Sequence, residues 1–373
     1  MAPVFDKKNV LVTGGAGFIG SHVCEKLLAH GARVICADNL ISSQLNNIDF
    51  LLKNPDFEFI RQDIVMPFDP DQFPELERFK IKFQGIQEIY HLACPMSPKQ
   101  FEQTRMQTLY ANSVGMKNVL DLAVKYRAKV LYSSTSTVYG PRPSDNHFLK
   151  EDEAGCVNAI SPRACYDEGK RFGETCCATY RQVHGIDVKI ARVFRTYGPR
   201  ERLFSGEMIP DFIVNALDNK DVEIFGDETF TTSLCYVTDV VDGLIKLMNT
   251  EGDMGPVNIG HDQDMPIVDV VRSILEMTGS ASRIVFQPSL MFMTTLGLPD
   301  LTKAKEKLGW MPLVRLEEGL KKIIDYTVAN RQLLSGFAQP GMMPAPAMSM
   351  PTTPPPAAPP TATPPVAPVT PKG

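Results

Sequence analysis

A tyrosine and a lysine stand four positions apart in the run Arg163-Ala164-Cys165-Tyr166-Asp167-Glu168-Gly169-Lys170-Arg171. On a helix that spacing puts both side chains on one face. An ammonium beside a phenol favours the phenolate, which predicts that Tyr166 takes a proton from a substrate hydroxyl near neutral pH. This is the proton half of an alcohol oxidation. Amphipathic helices produce Tyr-x-x-x-Lys by chance, so its meaning depends on a hydride acceptor bound elsewhere in the chain.

The N-terminus reads as a site for that acceptor. Val10-Leu11-Val12-Thr13 is a short apolar run of buried-strand type, followed by Gly14-Gly15-Ala16-Gly17-Phe18-Ile19-Gly20 and a helical pattern from Ser21. Glycines at 14, 17 and 20 allow a tight turn, close approach of a pyrophosphate and close packing of helix on strand. The helix N-terminus offers free N–H groups and a positive dipole end. A second apolar strand, Arg33 to Ala37, ends at Asp38, about twenty residues past the loop, where a ribose-binding carboxylate belongs. With an acid at 38 and no arginine beside it to hold a 2′-phosphate, the expected cofactor is NAD and not NADP.

The elements that must carry these residues alternate. Strand patterns at 10–13, 33–37, 57–60, 87–92, 129–133 and 188–193 are separated by helical stretches, among them 104–126 and 166–184. The pattern predicts an α/β doubly wound parallel sheet. Segments 221–225 and 256–259, with helices near 207–218, 239–248, 266–278 and 302–309, predict a smaller lobe covering the substrate. The expected organisation is a cofactor-binding domain over 1–200, its sheet open to completion by later segments, then a mainly substrate-binding lobe over 201–335. Residues 340–373 hold thirteen of the thirty prolines and almost no charge, so 336–373 is predicted to be a disordered, partly polyproline-II tail. Such a tail is either passive or a docking segment for a partner.

Composition narrows the function. A net charge of −5 with no basic patch argues against a nucleic-acid partner. No apolar run reaches the eighteen or so residues of a membrane span. The first strand starts within about ten residues of Met1, which predicts no signal peptide and a cytoplasmic protein. The eight cysteines form no Cys-x-x-Cys pair and read as reduced thiols; the six histidines are dispersed, and no metal site is expected.

The glycine loop, Asp38, Ser133-Ser134-Thr135-Ser136 and the Tyr166/Lys170 pair together resemble the extended short-chain dehydrogenase/reductase (NAD-dependent epimerase/dehydratase) superfamily, whose members mostly modify nucleotide sugars on a Rossmann-type sheet. The likeness spans nearly all of residues 9–330. Tyr90-His91-Leu92-Ala93-Cys94-Pro95-Met96-Ser97-Pro98 and the Tyr166 run look most like the UDP-glucuronate decarboxylases. Ile190 to Phe194, Thr196-Tyr197-Gly198-Pro199-Arg200 and Leu308-Gly309-Trp310-Met311-Pro312 agree.

The resemblance implies roles. Tyr166, helped by Lys170 and Thr135, would deprotonate a sugar hydroxyl while hydride passes to NAD. A ketone beside a carboxylate-bearing carbon would lose carbon dioxide, and the hydride would then return. Gly14, Ala16, Gly17, Phe18, Ile19, Gly20, Asp38, Asn39, Asp63, Ile64, Leu92, Ala93 and Val193 would hold the cofactor with Tyr166 and Lys170. Pro95, Ser97, Ser136, Thr137, Arg195 and Thr232 would meet the substrate. Helices at 104–126 and 166–184 would pack against their copies in a homodimer, with Leu109, Val114 and Leu122 among the apolar positions.

Departures from the pattern fall on the substrate side. Thr137 stands where the decarboxylases carry a glutamate, and Thr232 where they carry an arginine. Arg195 replaces an asparagine. Ser205-Gly206-Glu207 replaces Asp-Gly-Arg, and Gly297-Leu298-Pro299-Asp300 replaces an Arg-x-Pro-Asp that contacts the diphosphate. A diphosphate needs cationic or N–H partners, and each charge-assisted bond is worth about 1.5–3 kcal/mol. Arg195 and Arg202 are the cations that would restore such contacts. Three readings stay open: a nucleotide-sugar decarboxylase or 4-epimerase acting on a UDP-glucuronate-like substrate, a divergent enzyme acting on a non-nucleotide alcohol or hydroxy acid, and a non-catalytic NAD-binding scaffold. Epimerisation needs only oxidation, rotation of the ketone and reduction, so it survives loss of the glutamate and arginine.

Overall fold

The computed structural model describes residues 7–96, 101–144, 147–203, 205–289 and 296–335; Ser97 and the segment 336–373 lie outside the described residues. Seven parallel strands form its centre. These are β1 (Asn9–Thr13), β2 (Arg33–Asp38), β3 (Phe57–Arg61), β4 (Glu88–His91), β5 (Lys129–Thr135), β6 (Val188–Val193) and β7 (Pro256–Ile259), in the order β7-β6-β5-β4-β1-β2-β3. The order reverses between β1 and β4, which is where a doubly wound sheet opens a crevice at the carboxyl ends of its strands.

Strand alternation sorts the core into two layers. Val10, Val12, Val34 and Cys36 face one layer, while Leu11, Ile35, Ala37, Ile89 and Val130 face the other. Both faces are therefore covered, and these strands read as continuous apolar runs. On the first face lie α1 (Phe18–Ala29) and a later helix; on the second lies α2 (Phe101–Tyr110), which passes through a wider π-turn at Ala111–Gly115 into α3 (Met116–Tyr126), together with α4 (Ala164–His184). The sequence pattern predicts 104–126 as one helix; the π-turn breaks its period. There Asn112 meets α4 at Gly169, where an added Cβ would lie 3.0 Å from the asparagine side chain.

The chain then forms α5 (Met208–Leu217), α6 (Val237–Met248), α7 (Ile267–Thr278), α8 (Thr302–Leu308) and α9 (Leu316–Ser335). One segment differs from the sequence expectation. Residues 256–259 pattern with the smaller lobe, but they pair Pro256–Ile259 with Ile190–Val193 and complete the central sheet. The helix before them, α6, packs with α1. Val257 and Ile259 are wholly buried in the core layer that α6 covers, and Asn258 between them is buried as well. Outside the central sheet, α5 and α7 pack together beside two short pairings: Val222–Phe225 parallel to Ile284–Gln287, and Thr231–Thr232 antiparallel to Met265–Pro266. Helix α9 is absent from the sequence expectation; it buries Leu320, Ile323, Ile324 and Thr327. Among the described residues no helix is long and apolar enough to cross a membrane.

Candidate active site

The carboxyl ends of β1 to β6 and the first turn of α5 enclose one cavity of about 960 Å³. Its cofactor end begins at the glycine loop. Gly14 adopts φ +73°, a conformation open to glycine at little cost, and turns the chain from β1 toward α1. A Cβ on Gly20 would stand 2.1 Å from the Gly14 carbonyl oxygen, so only glycine lets α1 start this close to the strand. The result is a cradle of backbone at a helix N-terminus, as a pyrophosphate requires.

Asp38, at the end of β2, is buried and already braced. Its carboxylate accepts from Ala16 N at 3.1 Å, Leu40 N at 2.8 Å and Ser43 Oγ at 2.5 Å. Burial nevertheless pushes its pKa up, against those three bonds. Asn39 donates to the Asp63 carboxylate at 3.1 Å, and Asp63 also caps Val65 N at 2.9 Å. Gly14, Gly17, Phe18, Ile19, Gly20, Asp38, Asn39, Asp63, Ile64, Leu92, Ala93 and Val193 all line the cavity. Ala16 does not; it is fully buried behind the loop, where its N–H and carbonyl hold Asp38 and Asn47. This half fits a dinucleotide such as NAD: a glycine cradle for the pyrophosphate and a carboxylate for a ribose.

The reactive end lies at β5 and α4. Tyr166 and Lys170 fall on one face of α4, as their spacing predicts, and both are buried. Lys170 Nζ sits 5.9 Å from the centroid of the Tyr166 ring and 5.0 Å from that of Tyr132. It donates to the Ser133 carbonyl at 2.7 Å. The electrostatics differ from the sequence expectation of a lysine-stabilised phenolate. Burial pushes the Tyr166 phenol well above its usual range, while the hydrogen bond from Thr135 works against the rise. The same burial pushes Lys170 down. In this geometry desolvation outweighs the influences that lower the phenol, Thr135 and Arg163.

Thr135, Ser136 and Thr137 follow on from β5 and line the cavity, the Thr137 hydroxyl itself being enclosed. The strand end is pinned from behind. Ser134 Oγ donates to Glu174 at 2.6 Å, and Arg192 grips the same carboxylate with Nε at 3.0 Å and Nη2 at 2.8 Å. Arg192 also lies over the Tyr139 ring, 4.6 Å from its centroid.

Of the predicted substrate residues, Pro95, Ser136, Thr137 and Arg195 line the cavity. Thr232 does not: it is buried in the antiparallel pair, and its hydroxyl donates to the Ser233 carbonyl at 3.4 Å. The sequence reading missed Arg163, Glu201 and Asp211 and took Glu207 only as a departure on the substrate side; all four line the same cavity. Arg163 lies over the Tyr166 ring at 6.0 Å and pairs with Asp167 at 3.1 Å. Its i−3 placement before Tyr166 on the same helix turn is the signal that would have found it. Cys94 also faces the cavity, with Asn112 Nδ2 3.2 Å from its sulfur.

Comparison with known proteins agrees with this geometry. The family model for the NAD-dependent epimerase/dehydratase family matches residues 10–260. The chain is 39% identical over 321 residues to UDP-glucuronic acid decarboxylase 1 of Xenopus tropicalis, covering 86% of this chain and 72% of that protein. Among solved structures, the UDP-glucuronic acid 4-epimerase of Bacillus cereus in complex with UDP-glucuronic acid and NAD superposes with a TM-score of 0.75 at 29% identity, over 87% of this chain and 99% of that one. The UDP-glucose 4-epimerase of Thermotoga maritima with UDP-glucose gives 0.76 at 31% identity, over 87% and 99%.

Proposed function

The chain belongs to the NAD-dependent epimerase/dehydratase family, and from that membership we propose that it oxidises a hydroxyl of a nucleotide sugar to a transient ketone and then reduces the ketone in place. One observation carries this reading: a single cavity joins the glycine cradle and Asp38 to Tyr166, Lys170 and Thr135. The glycine cradle and Asp38 would hold NAD there, which would supply a hydride acceptor, and then a hydride donor, for the carbon that bears the hydroxyl. Tyr166 accepts the hydroxyl proton and returns it at reduction. Thr135 orients the phenol and lowers its pKa. Lys170 ties α4 to the end of β5 through Ser133 and keeps a positive charge within reach of the phenol. A non-catalytic scaffold has no use for this arrangement.

Epimerisation fits the reactive end best. Strand β5 runs into three hydroxyl side chains, Thr135, Ser136 and Thr137, and turning a ketone over for reduction from its other face requires no further acid. Decarboxylation is the second reading, favoured by relatives such as the Xenopus tropicalis decarboxylase. Incubating the NAD-loaded protein with UDP-glucose, UDP-glucuronate and UDP-galacturonate separates them. Unchanged mass with altered retention reports epimerisation; loss of carbon dioxide reports decarboxylation. No conversion of any of the three, with NAD bound tightly, would overturn the nucleotide-sugar reading in favour of another alcohol or hydroxy acid.

The reading extends to assembly and setting. Met106, Leu109, Tyr110 and Val114 are exposed on α2 and its π-turn, and Phe172 and Val183 on α4. A homodimer that stacks these helices on their copies would cover them; Leu122, by contrast, is buried within the monomer. All eight cysteines are free thiols, in keeping with a reducing cytoplasm. The boundaries at 200 and 335 belong to the same proposal.

A further inference from the structure

One row of side chains crosses the sheet beneath the catalytic helix. Thr13, His91 and Tyr132 are register partners on β1, β4 and β5, so they stand side by side on one face of the sheet. Thr13 Oγ1 and His91 Nδ1 are 2.7 Å apart, and the His91 ring stacks on that of Tyr132, 5.7 Å between centroids and 28° between planes. Helix α4 lies directly on the tyrosine. A Cβ at Gly173 would stand 2.2 Å from the Tyr132 oxygen, which donates to the Lys170 carbonyl at 3.4 Å. The Lys170 ammonium rests over the Tyr132 ring, 5.0 Å from its centroid. Thr13, His91, Tyr132 and Lys170 are each at most 4% exposed.

A buried ammonium needs compensation. Burial pushes Lys170 down, and Cys94, Cys177 and Glu174 work against that fall; the Glu174 carboxylate is shared with Arg192 and Ser134. His91 does not compete as a second cation, because burial, and then Lys170 itself, lower it to about 3. Direct contact with the ammonium comes from the Ser133 carbonyl and two ring faces, Tyr132 nearer than Tyr166. A ring face attracts a cation within about 6 Å of its centroid, most strongly where water is excluded. Resting on the roles given to Tyr166 and Lys170 above, we propose that Tyr132 is a positioning residue: its ring, stacked on His91, keeps the Lys170 ammonium charged and in place beside Tyr166.

The test compares Tyr132→Phe and Tyr132→Leu with pentafluorophenylalanine incorporated at the same position, each in the NAD-loaded full chain. Lys170 is titrated by NMR of isotope-labelled lysine Cε, its signal identified by its loss in Lys170→Ala. Fluorination keeps the shape of the ring and removes its negative face, so it separates the attraction from the packing. Tyr132→Phe titrates with wild type. The fluorinated ring and Tyr132→Leu bring the lysine midpoint down by about one pH unit, the worth of a desolvated cation–π contact, and turnover falls about tenfold from the phenylalanine to the fluorinated form. A fluorinated form that titrates with the phenylalanine form overturns the proposal. If the midpoints separate but no form turns over any of the UDP-sugars, the positioning role stands and the nucleotide-sugar reading falls. Turnover by wild type with coincident midpoints sinks the positioning role alone.

Discussion

Lys170 donates its ammonium proton to the main-chain carbonyl of Ser133, at 2.7 Å, and not to the phenol of Tyr166 one turn earlier on α4. The lysine therefore joins helix to strand as well as charging the site. Tyr166→Phe removes the proton acceptor and lowers turnover by about 10²–10⁴-fold, the usual worth of general base catalysis. NAD affinity, read by titration, stays near wild type. Lys170→Ala lowers turnover as well, and it also lowers the melting temperature, because the part-buried Ser133 carbonyl loses its charged donor at a cost of about 1–3 kcal/mol. A Lys170→Ala protein as stable as wild type would show that the Ser133 bond carries no load.

Thr135 sets the pH range in which Tyr166 works. Burial raises the phenol and the Thr135 hydrogen bond lowers it. A base must be deprotonated to act, so turnover climbs as pH rises into the alkaline range. Thr135→Val removes the lowering influence and moves that climb to still higher pH. A pH–rate profile that is unmoved in the variant would remove Thr135 from the site.

Gly20 is fixed by contact. Its missing Cβ would stand 2.1 Å from the Gly14 carbonyl oxygen. Gly20→Ala pushes α1 away from β1 and weakens NAD binding by more than tenfold in a fluorescence titration. Acid has a milder form of the same effect. Because burial raises Asp38, protonation of this carboxyl begins above the ordinary aspartate range, and NAD affinity starts to fall there as pH drops.

Glu174 holds the buried face of β5. Its carboxylate takes two bonds from Arg192 and one from Ser134, and the two charged side chains are only 14% and 10% exposed. Glu174→Ala leaves a buried guanidinium without its anion, which costs about 3–5 kcal/mol in denaturant unfolding. Glu174→Gln, which keeps an acceptor for Ser134, costs less.

His22 makes the fold sensitive to acid. Burial and Arg200 lower its pKa to about 4, against the bond to the Pro199 carbonyl. Between that value and the ordinary 6.5 the unfolded chain binds the extra proton, so stability is full above 6.5 and falls as pH drops toward 4. The contribution is at most about 3 kcal/mol. His91, lowered to about 3 by burial, extends the loss further down. His22→Gln, whose amide can still donate to Pro199, flattens the upper part of a stability-against-pH curve.

Local chemistry determined what the sequence alone made legible. Strand, glycine loop, helix and Asp38 follow one another within about thirty residues, because phosphate binding by a helix N-terminus is a short-range device. The four-residue spacing of Tyr166 and Lys170 likewise fixes their shared face without help from the fold. Whatever depended on distant partners had to wait for the tertiary structure. Pro256–Ile259 joins the central sheet because β6 leaves an edge for it, and no pattern within that segment says so. Thr232 leaves the site because its strand pairs with Met265–Pro266. The largest revision concerns charge. Four positions apart in the chain, Tyr166 and Lys170 read as a phenolate beside an ammonium. Folded, both lose water, and desolvation raises the phenol and lowers the ammonium. Glu201, Glu207 and Asp211 look in sequence like surface acids around a loop; only the packing of that loop and α5 over the strand ends turns them into one wall of the cavity.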